Sequence, residues 1–286
     1  MRGGVYMLAA VFFFSIMIAL IKTIGQRLHV TEILFFRQLT MIVIAAPVIL
    51  PDFPRSLHTA RPGLQALRIA IAFFAMVLGF SAFIHLPFAE VTAITFAKTF
   101  FITVLAIVLL GETVEPRRWG AVIVGFLGVV IIAWPTGAGA FNLYGLMAIV
   151  SSACVGTVII IIRILSQIDK PITIMTYQAV GVGFLMIPPT IFFWKTPTSG
   201  EFITLIVIGV LSALGQYCNI LSLRVAEASF VGPFDYVRLV YAVIFGFWLF
   251  NEWPDQRVFW GAALIVSAAA YTLHRERMQN QNVENK

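Results

Sequence analysis

The chain alternates long apolar runs with short polar punctuation, and that alternation is its strongest signal. A helix crosses the hydrocarbon core of a bilayer with about 20 mostly apolar residues. Measured with that ruler, the sequence predicts ten spans: Val5–Ile21, Ile33–Leu50, Leu64–Leu86, Phe88–Leu110, Trp119–Trp134, Leu143–Leu165, Ile172–Trp194, Phe202–Leu223, Ala228–Phe250 and Val258–Leu273. Turn formers fall between them: Pro51, Asp52 and Pro54; Pro116 with Arg117 and Arg118; Pro135, Gly137 and Gly139; Pro197 and Gly200; Pro254 and Asp255. The thinnest separations are His85–Pro87 and Arg224–Glu227, where almost no loop remains. The predicted fold class is an all-α membrane protein.

Composition excludes the soluble alternative. The 286 residues are 60% hydrophobic and 11% charged, with a mean hydropathy of +0.96, whereas soluble domains are about one-quarter charged. The net charge of +6 does not point to nucleic acid, because the basic residues are scattered between apolar runs instead of gathered on one polar face. They read as topology signals. Arg2, Arg55, Arg61, Arg117, Arg118, Lys170, Arg224, Arg275 and Arg277 collect at one set of span ends, against chiefly Arg27, Lys195 and Arg257 at the other. Cytoplasmic ends carry that excess, so both termini are expected in the cytoplasm and the uncharged loop Pro135–Asn142 outside. The first run is too long for a signal-peptide core and is expected to stay as the first helix. Cys154 and Cys218 lie inside apolar runs with no CxxC and no adjacent His, and read as inert thiols, with no metal or cofactor expected.

An internal repeat organises the chain. Glu112, Arg117, Trp119, Gly120 and Ala121 recur as Glu252, Arg257, Trp260, Gly261 and Ala262, with one inserted residue. Ala89-Glu90 matches Ala226-Glu227, and Phe36-Arg37-Gln38 lines up with Thr176-Tyr177-Gln178. Five spans per half is an odd number, which turns the second copy upside down in the membrane. The expected organisation is therefore two inverted five-helix repeats, residues 1–140 and 141–274, followed by a cytoplasmic tail, 275–286. Inverted repeats place a substrate site near the midplane between the halves. Gly120, Gly125 and Gly128, like Gly181 and Gly183, are expected to let helices approach closely.

The chain resembles the drug/metabolite transporter superfamily in its ten-helix EamA-type branch. The resemblance rests on Phe35-Phe36-Arg37, on Leu110-Gly111-Glu112 with Trp119-Gly120, and on Pro233-Phe234-Asp235-Tyr236 with Asn251-Glu252. It implies one small bundle of two inverted repeats in a bacterial inner membrane. Members resemble exporters of amino acids and metallophores, or importers of riboflavin, S-adenosylmethionine and sugars. Against relatives of the S-adenosylmethionine type, the charges at Asp235 and Arg238 have reversed signs, so the resemblance names no cargo.

Ionisable groups inside spans are functional candidates by default. Lys98, near the middle of the fourth span, and Asp235 and Arg238, near the middle of the ninth, are the sharpest. At the repeat offset Lys98 falls on Asp235, which predicts a paired charge at the midplane and leaves Arg238 free for an anionic group. Tyr236, Gln216, Tyr217, Asn219 and Ser81 complete the expected substrate-binding set. Arg37 and Glu32 read as residues near a span head, Arg37 as structural, while Lys22 and Arg163 read as snorkelling to the interface. Glu90 and Glu227 suit helix N-termini, and Glu112 and Glu252 suit loop anchors. His85 reads as a residue that simply ends the third span, and the phenylalanines as lipid or core packing.

An intramembrane enzyme would need a nucleophile–base set or metal ligands at membrane depth, and no HExxH, GxSxG or His/Asp cluster occurs. A scaffold or receptor subunit would need neither central charges nor an inverted repeat, and a channel lacks a repeated filter sequence. The expected function is a secondary carrier for a small polar metabolite, with amino-acid-type export favoured and import of a riboflavin- or S-adenosylmethionine-type compound as the alternative. Its expected partners are that substrate, the lipid bilayer, and protons or a counter-substrate, with the protein a monomer or weak dimer.

Overall fold

The computed structural model describes residues 2–54, 57–110, 116–133, 143–225, 234–235, 237–268 and 271. Among these residues the secondary structure is helical, with no strand. The helices are α1 (Arg2–Ile24), α2 (Val30–Ile49), α3 (Pro62–His85), α4 (Phe88–Thr95), α5 (Ala97–Leu110), α6 (Pro116–Ala133), α7 (Leu143–Ser166), α8 (Pro171–Phe192), α9 (Ser199–Val225) and α10 (Val237–Phe250). A further helical stretch covers residues 256–268. Six of them, α1, α2, α3, α7, α8 and α9, are long and apolar enough to cross a membrane, and shorter apolar helices accompany them. Bare runs of lipid-compatible backbone must be helical, because hydrocarbon offers no partner for N–H and C=O groups.

The predicted fourth span is not continuous. It breaks at Phe96, whose N–H bonds to Ala93 O at 3.1 Å while its own carbonyl accepts from Thr99 at 3.0 Å. These i→i+3 bonds tighten one turn into 3₁₀ geometry and offset α5 from α4. No Gly or Pro marks the spot, so the sequence gives no warning of it. Ahead of α10, Phe234 and Asp235 form another short 3₁₀ turn. The predicted start of the ninth span, the loop Pro135–Asn142, Glu112, Glu227 and the tail after residue 271 lie outside the described residues.

Packing follows a swap pattern. α1 lies along α9 while α3 lies along α7; α2 also touches α9 while α3 touches α8; and α1 meets α10 while α5 meets α7. Exchanging the first five predicted spans for the last five carries each of these pairs onto its companion. α2·α8 and α4·α10 map onto themselves. Small residues set the closest approaches. A Cβ on Gly128 would lie 2.7 Å from the Gly261 carbonyl, and one on Gly209 would collide with the Thr40 side chain. Gly181 abuts Ile69 and Gly183 abuts Gln38, as expected of contact glycines, but Gly120 has open space around its Cβ position and serves no such contact. Serine hydroxyls also tie helices: Ser151 donates to Ala75 O at 2.7 Å and Ser222 to Gly3 O at 2.8 Å.

The expectation that Lys22 snorkels to the interface is overturned. Lys22 is buried, and its Nζ donates to Leu86 O and to Glu252 Oε1, both at 2.6 Å, beneath the Phe250 ring. The end of α1 is covered by the end of α3 with Leu86 and by the segment after α10, so the ammonium cannot reach a headgroup and takes a carboxylate instead. Glu252 is the loop anchor the sequence suggested, since its Oε2 also accepts from Phe88 N–H at 2.7 Å. Arg27 and Glu201 pair at the same end of the bundle. At the end that bears the amino terminus, Asp169 accepts from Thr59 Oγ1 at 2.6 Å and Gln65 Nε2 at 3.0 Å.

Candidate functional site

Lys98 lies ten residues into the α4–α5 run, about 15 Å along the axis at 1.5 Å per residue, half the thickness of a bilayer core. Its position two residues past the break at Phe96 points the ammonium at the turn before α10. There Lys98 Nζ bonds to Asp235 Oδ2, and Arg238 Nη2 bonds to the other carboxylate oxygen at 2.9 Å. All three side chains are largely withdrawn from the surface, at 11%, 11% and 17% exposure. The predicted pairing of Lys98 with Asp235 is therefore present. The prediction that Arg238 stands free is not met: it sits one helical turn from Asp235, where an i,i+3 pair meets naturally, and it shares that carboxylate.

Two cations on one anion leave the cluster with net positive charge, and Arg238 Nε is buried without a protein acceptor. Aromatic faces close the surroundings. Lys98 Nζ lies 5.8 Å from the Phe96 ring and Arg238 Cζ lies 5.9 Å from Phe14, distances at which a ring's negative face attracts a cation. Phe14 packs in turn against Gly215 of α9. α7 reaches the cluster's backbone, where a Cβ on Gly156 would lie 3.2 Å from Lys98 O.

The remaining predicted site residues are dispersed. Gln216 is buried, and its Nε2 approaches Gln178 Oε1 at 3.4 Å. Tyr217, next along α9, is 43% exposed on the outer surface. Asn219 and Ser81 are half-buried, on α9 and α3, and Tyr236 lies outside the described residues. His85 is exposed and stacks on Tyr144, with ring centroids 4.0 Å apart. Glu90 sits in the first turn of α4 and lines a cleft with Glu252, Trp253 and Asp255.

Sequence reading missed one residue outright. Arg68, in the second turn of α3, is fully buried, with Nη1 on Ile174 O at 2.9 Å and Nη2 on Gln178 Oε1. It lies only in the second turn of the third predicted span, and no motif or repeat match singles it out. Arg37 and Glu32 are also buried, at 3% and 0% exposure, so neither snorkels. Glu32 Oε2 accepts from Lys195 N–H at 3.2 Å.

Comparison with known proteins agrees with this architecture. The profile of the EamA-like transporter family matches residues 1–134 and again 142–273. The chain is 30% identical over 259 residues to an S-adenosylmethionine uptake transporter of Rickettsia bellii, covering 90% of this chain and 88% of that one. It is 29% identical over 264 residues to a riboflavin transporter of Brucella anthropi, covering 88% and 91%, and 26% identical over 272 residues to a pseudopaline exporter of Pseudomonas aeruginosa, covering 94% and 95%. A solved crystal structure shares the fold with a TM-score of 0.72 at 17% identity, over 96% of this chain and 98% of that chain. Apolar helices of membrane length and these matches lead to one conclusion: the chain belongs to the EamA-like transporter family, and is a membrane transporter rather than an enzyme.

Proposed function

We propose that the protein is an alternating-access secondary carrier for a small polar metabolite, built as two inverted five-helix repeats over residues 1–140 and 141–274. The observation that carries this reading is the buried Lys98–Asp235–Arg238 cluster, which joins the first half of the chain to the second at membrane depth. Charges are expensive there and persist where they serve a pathway. Discontinuous helices are the usual frame of such sites, and the break at Phe96 and the turn at residues 234–235 flank this one. The swap pattern of helix packing and the two separate family matches support the repeat.

In this reading Lys98, Asp235 and Arg238, with Tyr236 and Gln216, line the pathway, and Ser81 and Asn219 border it. Tyr217 faces outward and is better placed toward lipid. Both termini are cytoplasmic, the tail 275–286 included, in a bacterial inner membrane, and protons or a counter-substrate drive the cycle. The relatives named for S-adenosylmethionine uptake and for riboflavin transport point to a vitamin- or nucleoside-type metabolite, and one relative is named for export. Import of such a compound therefore has at least as much support as the amino-acid export the sequence favoured, and we propose import.

Uptake into proteoliposomes tests the proposal. Vesicles holding the purified full chain should accumulate S-adenosylmethionine, riboflavin or another metabolite of that size in a saturable way. A flux that never saturates would point to a channel, and a fluorescent fusion that stays dark at the carboxyl terminus would contradict the orientation.

A further inference from the structure

Arg37 and Arg68 are guanidiniums sealed inside the bundle, and neither forms an ion pair among the described residues. An ionised group without water or a counter-ion is among the most unfavourable things a membrane interior can hold. Arg37 has only neutral partners. Nε donates to Ser212 Oγ and Nη1 points at Met76 Sδ, 3.2 Å away. A guanidinium has five N–H donors; two are used, which leaves three. The Phe80 ring lies 5.8 Å from Arg37 Cζ.

The neighbouring side chain converges on the same atom. Gln38 Nε2 reaches Met76 Sδ at 3.8 Å, and Gln38 Oε1 is buried with no partner. Two strongly polar heads thus meet on a thioether, a weak acceptor, carried by the most adaptable of apolar side chains. From Ser212 the polar line continues one turn along α9 to Gln216, which approaches Gln178, which accepts from Arg68. Along that line Gln178 Nε2 and Arg68 Nε are buried and unpartnered as well. Unsatisfied buried groups on α2, α3 and α8, gathered along this line, are the kind that a polar ligand group satisfies.

We propose that Arg37, with Gln38, is a carboxylate-binding station of the transport pathway, and that the thioether of Met76 holds the position a carboxylate of the cargo takes. On binding, Met76 swings aside and the planar fork of Arg37 donates two parallel hydrogen bonds to the carboxylate. Arg68 and Gln178 form a second station on the same line, nearer the end of the bundle that bears the amino terminus. This rests on the carrier reading, because Arg37 is sealed in the present conformation and meets cargo only when the halves rock. It separates the anion-binding role from the Lys98–Asp235–Arg238 cluster, whose own carboxylate already occupies its cations.

The test uses the full chain in detergent and in proteoliposomes, with Arg37→Met, Arg37→Lys and wild type side by side. In detergent without cargo, Arg37→Met should melt higher than wild type, because it removes an uncompensated charge while keeping the volume. In vesicles, wild type should exchange S-adenosylmethionine, which carries a carboxylate, in preference to riboflavin, which does not. Arg37→Met should lose at least tenfold of the S-adenosylmethionine exchange and Arg37→Lys should keep part of it. An Arg37→Met protein that melts below wild type, or exchanges S-adenosylmethionine at the wild-type rate, overturns the proposal. Failure of wild type to exchange any probe, with Arg37→Met still melting higher, counts against the carrier reading and leaves the uncompensated cation standing.

Discussion

Lys98 and Asp235 are 137 residues apart in sequence and form a buried ion pair, in which Asp235 turns its second oxygen to Arg238. One carboxylate therefore holds two cations, and the three residues are not equivalent. Removing Asp235 strands both cations, whereas removing Lys98 leaves the Asp235–Arg238 bond intact. Losing one partner of a buried pair costs about 3–5 kcal/mol. Asp235→Ala should accordingly be the most damaging single change in expression and detergent monodispersity, with Lys98→Ala milder. The exchange Lys98→Asp with Asp235→Lys should recover part of what either single change loses. Equal, additive losses without recovery would mean the groups do not act together.

Lys22 and Glu252 fasten α1, α4 and the segment after α10 at one end of the bundle. Glu252 is a quarter exposed, so screening reduces its worth. Glu252→Ala should lower stability by roughly 1–3 kcal/mol, the range for a charged hydrogen-bond partner left unmatched. Lys22→Met with Glu252→Gln should be less harmful than Glu252→Ala alone, by thermal melting in detergent. If the double variant melts lower still, the pair is not the fastening.

The capacity to read this molecule from sequence varies by residue, for physical reasons. Apolar runs announce span positions because lipid demands them, and the repeat offset placed Lys98 opposite Asp235. The break at Phe96 is silent because it needs only two i→i+3 bonds and no special residue. Arg68, Arg37 and Lys22 were obscured for a shared reason: a charge a turn or two inside a span looks the same whether its end faces headgroups or is covered by another helix. Tertiary packing decides between those, and covers all three.

Glycines offer a second contrast. Gly209 faces the Thr40 side chain with no room for a Cβ, whereas Gly120 faces open space. Gly209→Val should cost about 1–3 kcal/mol by overpacking and part α9 from α2. Gly120→Ala should be neutral or should stabilise by up to about 1 kcal/mol through helix propensity. Melting midpoints of the two variants decide it, and equal losses would contradict the assigned contacts.

His29 lies between α1 and α2, where it caps α2 and stacks on Phe193 with centroids 4.1 Å apart. Burial, and then the nearby Lys195, hold its imidazole below the ordinary value. The unfolded chain therefore takes up the proton first. The stabilising contribution is complete above roughly pH 6.5, the ordinary histidine value, and declines as pH falls below it. His29→Phe should flatten the decline in melting midpoint between pH 7.5 and 5.5. An unchanged decline would assign that pH response to other groups.

The most direct measurement of the central claim is tracer counterflow in proteoliposomes. Vesicles preloaded with unlabelled S-adenosylmethionine or riboflavin, and diluted into the labelled compound, should show a transient internal accumulation above the external concentration, which only a carrier with an alternately exposed site produces. Asp235→Asn, which strands Lys98 and Arg238 while preserving shape, should abolish that overshoot. Overshoot of wild-type size in Asp235→Asn, or simple equilibration in the wild type, would contradict a carrier built around this charge cluster.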